Sequence, residues 1–268
     1  MTTTRLSTTL IFLTFLSVHG VAAQTAAPVP AEDPSPSSVP VASAVDEQTP
    51  TLRPPAGSLF KSIGHDVTNF FSLDTAKIMV PFTIAGIAAS HWDHAAVEDA
   101  EEHIPSSAYS IGNFGGSLYA QLGASVGTYV IGRATNKPQV AALGGDLIRA
   151  QIVSQIFVQG AKFATERTRP DGSDNFSFPS GHTASAFATA TVLQEHFGWK
   201  AGIPAYAFAS FVGASRMAAD KHYLSDVLVG AGIGIAAGRT VTLHIAGEKF
   251  ALGAAPTQGG AMVSFTKR

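Results

Sequence analysis

Apolar residues recur at helical spacing from Leu59 onward, in segments that glycine and proline separate. This pattern predicts a first helix near residues 59–72. Core helices are predicted near residues 75–91, 115–133, 140–165, 182–197, 201–215 and 223–240. The joints carry helix-breaking residues such as Pro138, Pro179 and Gly198. We therefore expect an all-α protein, a helical bundle of about six core helices.

The two ends of the chain differ in composition from this helical region. Residues 1–23 are predicted to be a signal peptide, because a single early charge, Arg5, precedes a short apolar stretch and then small residues. Residues 24–58 are rich in Pro, Ala and Ser, which predicts a flexible linker. The helical domain is expected over residues 59–245. The tail, residues 246–268, has two β-leaning runs that predict a short β-hairpin.

Charged residues make up only 13% of the chain, and this leaves two interpretations of its helices. The stretch from Ile104 to Gly132 has no ionisable acid, base or histidine and is long enough to span a bilayer, whereas the other helices are interrupted sooner. Asp146 and Arg149 lie inside a predicted helix, where a bilayer would penalise them. A soluble, exported bundle is therefore the favoured interpretation, and a membrane-spanning bundle is the alternative.

Net charge and cysteine content exclude several classes of function. The net charge of −2 argues against a strongly basic nucleic-acid binder, so no nucleic-acid partner is expected. The chain has no cysteine, which excludes disulfide scaffolds, thiolate metal sites and cysteine nucleophiles.

Three short clusters of charged and histidine residues stand out in the second half of the chain. They run from Lys162 to Pro170, from Phe178 to Thr183 and from Ser215 to Asp226. Solvated helix ends would explain any one of them, but they are a poor explanation for all three in an otherwise apolar chain.

The clusters contain the donors of an anion-binding site. Lys162, Arg169 and Arg216 supply charged donors, and guanidinium groups match phosphate oxygens. Ser180 and Gly181 precede a predicted helix, whose free backbone amides would point at an anion.

Two histidines and a carboxylate complete the chemistry. His222 and Asp226 are four residues apart, so on one helix they share a face. The carboxylate can then hold one imidazole nitrogen protonated while the other attacks. His182 can protonate a leaving alkoxide. The set includes a nucleophile, an orienting group and an acid, and it needs no metal.

In their internal spacing, the clusters resemble the signature of the type 2 phosphatidic acid phosphatase superfamily, which also includes bacterial class A acid phosphatases and vanadium haloperoxidases. That signature is Lys, six residues, Arg-Pro; then Pro-Ser-Gly-His; then Ser-Arg, five residues, His, three residues, Asp. The resemblance implies that His222 attacks phosphorus to form a phosphohistidine, that Asp226 orients it, and that His182 protonates the leaving oxygen and then activates water. It implies that the phosphoryl oxygens are bound by Lys162, Arg169, Ser180, Gly181 and Arg216.

The resemblance leads us to expect a metal-independent phosphatase without a cofactor. Its substrate would be a phosphorylated small molecule or a lipid phosphate, and its location the periplasm or cell envelope, with membrane association left open. Vanadate can occupy such a phosphate site, so a vanadium-dependent haloperoxidase is one alternative. A non-catalytic envelope or lipid-binding protein on the same scaffold is another.

Three further groups of charged residues have simpler interpretations. The histidines and acids of residues 91–103 match no firm metal-ligand spacing and are expected on an exposed acidic helix or loop. Glu166 and Arg167 are predicted to form an ion pair at a helix end rather than to act in catalysis. Asp146 and Arg149 are predicted to pair inside or beside the bundle.

Overall fold

The computed structural model describes the backbone of residues 56–243, 250–257 and 260–267, and the side chains of residues 61–242. The predicted signal peptide and nearly all of the predicted linker lie outside the described residues. The helices are α1 (Ala56–Asn69), α2 (Leu73–Ala89), α3 (Asp93–His103), α4 (Tyr109–Gly116), α5 (Leu118–Ala134), α6 (Pro138–Thr165), α7 (Gly181–Phe197), α8 (Trp199–Ala218) and α9 (Leu224–Leu243). The predicted all-α fold class is confirmed. At the position of the predicted hairpin, strands β1 (Phe250–Thr257) and β2 (Gly260–Lys267) pair antiparallel.

Local polar groups and breakers determine where the core helices begin and end. The Ser180 hydroxyl accepts from a backbone amide in the first turn of α7, and the Ser117 hydroxyl does the same for α5. Pro138 lies in the first turn of α6, where its missing amide costs no hydrogen bond. Helix α6 ends where Glu166 adopts a left-handed conformation, with φ at 44°.

Small residues let α7 and α9 pack with their backbones in contact. A Cβ added to Gly234 would lie 2.4 Å from the carbonyl oxygen of Ala184, and one added to Gly230 would lie 2.6 Å from that of Ser180. Helices α6 and α8 also pack against α7. This close packing brings the first turns of α7 and α9 to the same end of the bundle as the last turns of α6 and α8.

Helices α3 and α4 lie between the predicted core helices and were not predicted as separate elements. Asp93, Val97 and Ala100 form the buried face of α3, which packs against α8 and is too narrow to show as a strong apolar period. The helix predicted from residue 115 instead begins at Leu118, because Ser117 caps it. Helix α1 begins at Ala56, within the predicted linker.

Several helices leave large apolar side chains exposed. Within the part of the chain that the structure describes, two helical segments are long and apolar enough to cross a membrane, Leu73–His103 and Leu224–Thr242. The second is 78% buried in the bundle, as a core helix of a soluble protein would be, but the first is only 17% buried. The exposed apolar side chains include Phe71, Leu73, Ile84, Ile87, Phe114, Tyr119, Ile131 and Ile203. Apolar surface of this extent is typical of a contact with lipid or with another protein.

Candidate active site

Four helix ends and one loop bring the predicted site residues together. Lys162 and Arg216 lie in the last turns of α6 and α8. His182 and Asp226 lie in the first turns of α7 and α9, and His222 lies in the loop between α8 and α9. Burial and the charges of Arg216, Arg169 and Lys162 lower the pKa of His182 to about 3, and Lys162 and Arg169 also act on His222. Residues that are far apart in the sequence therefore share one pocket.

The imidazole of His222 is buried and held by the main chain. Its Nδ1 atom lies 2.6 Å from the carbonyl oxygen of Ser177 and 3.8 Å from Oδ2 of Asp226. Because a carbonyl oxygen can only accept, Nδ1 carries the proton and Nε2 has a free lone pair. Burial lowers the pKa of His222 to about 4, although the nearby Asp226 carboxylate partly raises it. The imidazole is therefore neutral at neutral pH, and its orientation is fixed by the main chain.

The Asp226 carboxylate is fully buried and accepts hydrogen bonds on both oxygens. Its Oδ2 atom accepts from the Ser177 hydroxyl at 2.5 Å and from the Tyr223 amide at 2.9 Å. Its Oδ1 atom accepts from Nη1 of Arg167 at 2.6 Å. The predicted pairing of Asp226 with His222 is thus a charge contact at 3.8 Å, and the hydrogen bonds of the carboxylate go to residues that the sequence did not indicate.

The predicted ion pair between Arg167 and Glu166 is wrong. Arg167 instead bridges two buried carboxylates, those of Asp93 and Asp226. The chain turns into a left-handed conformation at Glu166, whose side chain is exposed, and Arg167 is directed back into the bundle. In contrast, the predicted proximity of Asp146 and Arg149 is observed, with 3.7 Å between Oδ1 and Nη2.

The predicted phosphate-binding cations surround the same pocket as His222. The buried Arg216 guanidinium donates from Nη1 to Oδ1 of Asn113 at 3.1 Å, while its Nε has no hydrogen-bond partner among the described residues. Nζ of Lys162 donates to the carbonyl oxygen of Phe176. A buried guanidinium donor without a partner favours an anion as its ligand.

The remaining predicted phosphate-binding groups have structural partners as well. Arg169 donates from Nε to Oδ1 of Asp174 at 2.6 Å, which ties it to the loop before α7. The Ser180 amide donates to the Asp226 carbonyl oxygen at 3.0 Å, and the buried Ser180 hydroxyl accepts from the Thr183 hydroxyl at 2.9 Å. A Cβ added to Gly181 would make ordinary van der Waals contacts, the nearest at 3.4 Å.

Comparison with known proteins identifies the segment that carries this site. A family model described as the PAP2 superfamily matches residues 143–249. This segment belongs to the PAP2 superfamily. The resemblance found in the three charged clusters is therefore confirmed.

Two curated relatives are similar to part of this chain. A lipid A 1-phosphatase of Porphyromonas gingivalis is 44% identical over 84 residues, which is 30% of this chain and 19% of that protein. A lipid A 4′-phosphatase of Helicobacter pylori is 30% identical over 97 residues, 32% of this chain and 49% of that protein. The matches thus span about half the length of the second relative and less of the first.

One solved structure with the same fold covers more of the chain. The crystal structure of a transmembrane PAP2 type phosphatidylglycerolphosphate phosphatase from Bacillus subtilis matches 72% of this chain and 96% of that chain, with a TM-score of 0.51 and 20% identity. At this level of identity, the match shows a shared fold.

Helices outside the PAP2 segment also contribute to the pocket. Asn113 of α4 holds Arg216, and Asp93 of α3 holds Arg167. Helix α4 lies close to α8, because a Cβ added to Gly112 would lie 1.8 Å from Oγ of Ser215. The pair Gly112 and Gly116, four residues apart, was the available sequence signal for this packing. Among the side chains of residues 61–242, no three His, Asp or Glu residues converge in a way that would hold a metal ion.

Proposed function

We propose that this protein is a phosphatase that removes a phosphate monoester group from a lipid, through a phosphohistidine on His222. The observation that carries the proposal is the neutral, buried imidazole, whose Nδ1 proton is fixed by the Ser177 carbonyl. The unpartnered Nε of Arg216 supports an oxyanion as the ligand of the same pocket. Membership of the PAP2 superfamily and relatives named as lipid A phosphatases support the choice of reaction and substrate.

In the first half of the reaction, Lys162 and Arg216 bind the phosphoryl oxygens together with Arg169. Nε2 of His222 attacks phosphorus, and the bond from phosphorus to the ester oxygen breaks. Burial and the nearby cations lower the pKa of His182 to about 3 before substrate binds. The bound phosphate dianion raises this pKa again, so that His182 binds a proton from solvent and donates it to the ester oxygen, which leaves as an alcohol. In the second half, His182 takes a proton from water, the resulting hydroxide attacks phosphorus, and inorganic phosphate leaves the regenerated imidazole.

The charge that develops on His222 explains the surroundings of the imidazole. When Nε2 bonds to phosphorus, the ring becomes cationic while Nδ1 keeps its proton. The Ser177 carbonyl oxygen and the Asp226 carboxylate both face that nitrogen, at 2.6 Å and 3.8 Å. Such pre-oriented groups stabilise a charge that appears only during the reaction.

Apolar side chains beside the cations support a lipid substrate. Phe163 and Phe176 are both exposed and stack edge to face, with ring centroids 5.5 Å apart. The Phe176 carbonyl oxygen accepts from Lys162, so this aromatic pair lies next to the phosphate-binding cations. Phe114 of α4 is 73% exposed and follows Asn113 in the chain. These side chains would contact the hydrocarbon part of a lipid while its phosphate enters the pocket.

The exposed apolar surface also favours association with a membrane. Helix α2 is poor in charge after Lys77 and exposes Val80, Ile84 and Ile87. We propose that this helix faces the hydrocarbon of a bilayer, which replaces the soluble bundle favoured from the sequence. The charge-free runs are short because residues such as Asp146 and Arg149 interrupt them, and this favoured a soluble protein. In the structure these charges are buried and paired inside the bundle, as charges within membrane proteins are.

Phosphate release by the full chain in a mild detergent tests the proposal. The substrates are phosphatidic acid and a lipid A carrying its phosphates, in mixed micelles, with para-nitrophenyl phosphate as the soluble comparison. We expect release from lipid substrates, and a loss of about 10³-fold or more in His222→Ala. Quenching with alkaline detergent within one turnover would leave an alkali-stable, acid-labile phosphoenzyme in the wild type. Equal release by wild type and His222→Ala would contradict the proposal.

The same assay separates the alternatives. We propose that the reaction needs no metal, so a chelator is expected to leave the rate unchanged. Vanadate is expected to inhibit competitively, because it would bind to the cations that hold phosphate. Halide oxidation by peroxide after vanadate loading, without any phosphate release, would instead support the haloperoxidase. Lipid binding without either reaction would support the non-catalytic protein.

A further inference from the structure

We infer that Asp93 and Arg167 form a positioning pair that holds the carboxylate of Asp226 against the nucleophile. This inference rests on the proposed function of His222. Neither residue belongs to the motif positions of the three clusters, and Asp93 lies outside the PAP2 segment.

Asp93 is buried, and its two carboxylate oxygens accept three hydrogen bonds from two residues. Oδ1 accepts from the Ser225 amide at 2.9 Å. Oδ2 accepts from the Ser225 hydroxyl at 2.7 Å and from Nη2 of Arg167 at 2.7 Å. Asp93 thus joins the start of α3 to the residue before Asp226.

Arg167 completes the connection to the catalytic carboxylate. Nη1 donates to Oδ1 of Asp226 at 2.6 Å and to the Ser225 hydroxyl at 2.7 Å. The guanidinium carbon lies 4.2 Å from the centroid of the Tyr223 ring. Burial disfavours the charged guanidinium, but the Asp93 and Asp226 carboxylates outweigh it and raise the pKa of Arg167. A planar fork can hold two carboxylates in fixed directions, which a lysine cannot do.

This geometry determines which oxygen of Asp226 faces the nucleophile. Arg167 engages Oδ1, so Oδ2 is left to face Nδ1 of His222. Without Arg167 the carboxylate could rotate, and its charge would move away from the imidazole that becomes cationic. A displacement of about 1 Å at such a group can cost about 100-fold in rate.

The charge of Asp93 has a separate effect. Asp226 and Arg167 alone would cancel each other, whereas Asp93, Arg167 and Asp226 together keep one net negative charge beside His222. That negative charge favours the cationic phosphohistidine over the neutral imidazole. Asp93 therefore acts through Arg167 and Asp226 on the reacting histidine. In the sequence, Asp93 lies 132 positions before Ser225, its hydrogen-bond partner next to Asp226.

The first test compares Asp93→Asn with Asp146→Asn in the full chain. Asp146 is a matched control, since it is also a buried carboxylate beside an arginine, Arg149, but it lies away from the pocket, where its other partner is His196. Both variants are expected to lower the thermal unfolding temperature. Only Asp93→Asn is expected to lower kcat, by about 10- to 100-fold, and to slow phosphoenzyme formation, with KM changed by less than about threefold.

The second test uses chemical rescue. Arg167 lines a cavity of about 190 Å³ that opens between α2 and α9. In Arg167→Ala, we expect tens of millimolar guanidinium to restore kcat severalfold, while urea at the same concentration does not. Guanidinium is not expected to rescue His222→Ala. Rescue by the ion and not by its neutral analogue is a result that a purely structural arginine would not produce.

The outcomes distinguish this inference from the proposed function. A wild type no more active than His222→Ala would overturn the proposed function itself. An active wild type with unchanged kcat in Asp93→Asn, or with equal rescue of Arg167→Ala by guanidinium and urea, would overturn only the positioning role. The thermal unfolding curve of each variant gives its folded fraction at the assay temperature, and rates are compared per folded protein.

Discussion

The Nδ1 atom of His222 lies 2.6 Å from the carbonyl oxygen of Ser177, closer than the 3.8 Å that separates it from Oδ2 of Asp226. The same serine donates its hydroxyl proton to Asp226 at 2.5 Å. Its amide donates to the Arg167 carbonyl oxygen at 2.9 Å, which holds the loop in place. Ser177 therefore fixes the tautomer of the imidazole through its main chain and the carboxylate through its side chain.

We predict that Asp226→Asn keeps measurable activity. The Ser177 carbonyl oxygen still accepts the Nδ1 proton, whereas the variant loses the negative charge beside the imidazole and one of the two oxygens that accept hydrogen bonds. Loss of a charged partner of this kind corresponds to about 10- to 100-fold in kcat. Steady-state phosphate release, with His222→Ala as the inactive reference, measures the difference.

Ser177→Ala is the companion variant, because it removes the hydroxyl but leaves the carbonyl oxygen. Its kcat is expected to fall by about tenfold, through a carboxylate that is less well held. If Asp226→Asn were as inactive as His222→Ala, the carboxylate rather than the carbonyl would control the imidazole.

The sequence predicted the three clusters because each lies within a few residues of one helix end. Short-range spacing then places Lys162 near Arg169 and Ser180 at a helix start, and the bundle only has to align the ends. The spacing of His222 and Asp226 was less informative. Helix α9 begins at Leu224, so His222 precedes it and the shared helix face expected for residues four apart does not exist.

The partners of Asp226 could not be predicted from the sequence for two physical reasons. The Ser177 carbonyl oxygen is a main-chain group. Because every residue has such a group, only the folded structure shows which one faces His222. Asp93 lies among the acidic residues of α3, where a solvated face is the ordinary interpretation, and it meets Arg167 only after the bundle has closed. Burial separates Asp93 from its exposed neighbours, and burial is a property of the tertiary structure.

The protonation of His222 predicts how stability depends on pH. The pKa of this buried imidazole is lowered from 6.5 to about 4 in the folded protein. Between those values the unfolded state binds more protons, so the free energy of unfolding falls as the pH falls. Over this window the contribution is about 1.4 kcal/mol per pH unit.

An Asn at position 222 cannot titrate, so His222→Asn should lose less stability on acidification than the wild type. Thermal unfolding in detergent at pH 6.5 and pH 4.5 measures this contrast. On lowering the pH, we expect the unfolding temperature of the wild type to fall by more than that of His222→Asn. A constant difference would mean that the pKa of His222 is the same in the folded and the unfolded protein.

Asn113 is predicted to support phosphate binding through Arg216. Its Oδ1 accepts from the guanidinium at 3.1 Å, so Asn113→Ala would leave a buried cation less well oriented. We expect KM for the ester, and the inhibition constant for inorganic phosphate, to rise by about tenfold with a smaller change in kcat. Ser110→Ala, on the exposed side of the same helix, is the control and should change neither constant. Unchanged phosphate inhibition in Asn113→Ala would contradict this role.

The close approach of α4 to α8 predicts opposite effects for two glycine substitutions. In Gly112→Ala, the new Cβ would lie 1.8 Å from Oγ of Ser215, so α4 must move away from the residue that precedes Arg216. Both the unfolding temperature and kcat should fall. In Gly123→Ala, on α5, the added Cβ meets nothing within 4 Å, so the better helix former should add up to about 1 kcal/mol of stability.

A double variant distinguishes this contact from a general cost of alanine in α4. Ser215→Gly removes the side chain that the new Cβ would strike, so Gly112→Ala combined with Ser215→Gly should recover part of the lost kcat. The two substitutions would then be non-additive, as expected for residues in direct contact. Strictly additive losses in kcat and in unfolding temperature would show that the position of α4 does not depend on this contact. Another contact would then place Asn113 beside Arg216.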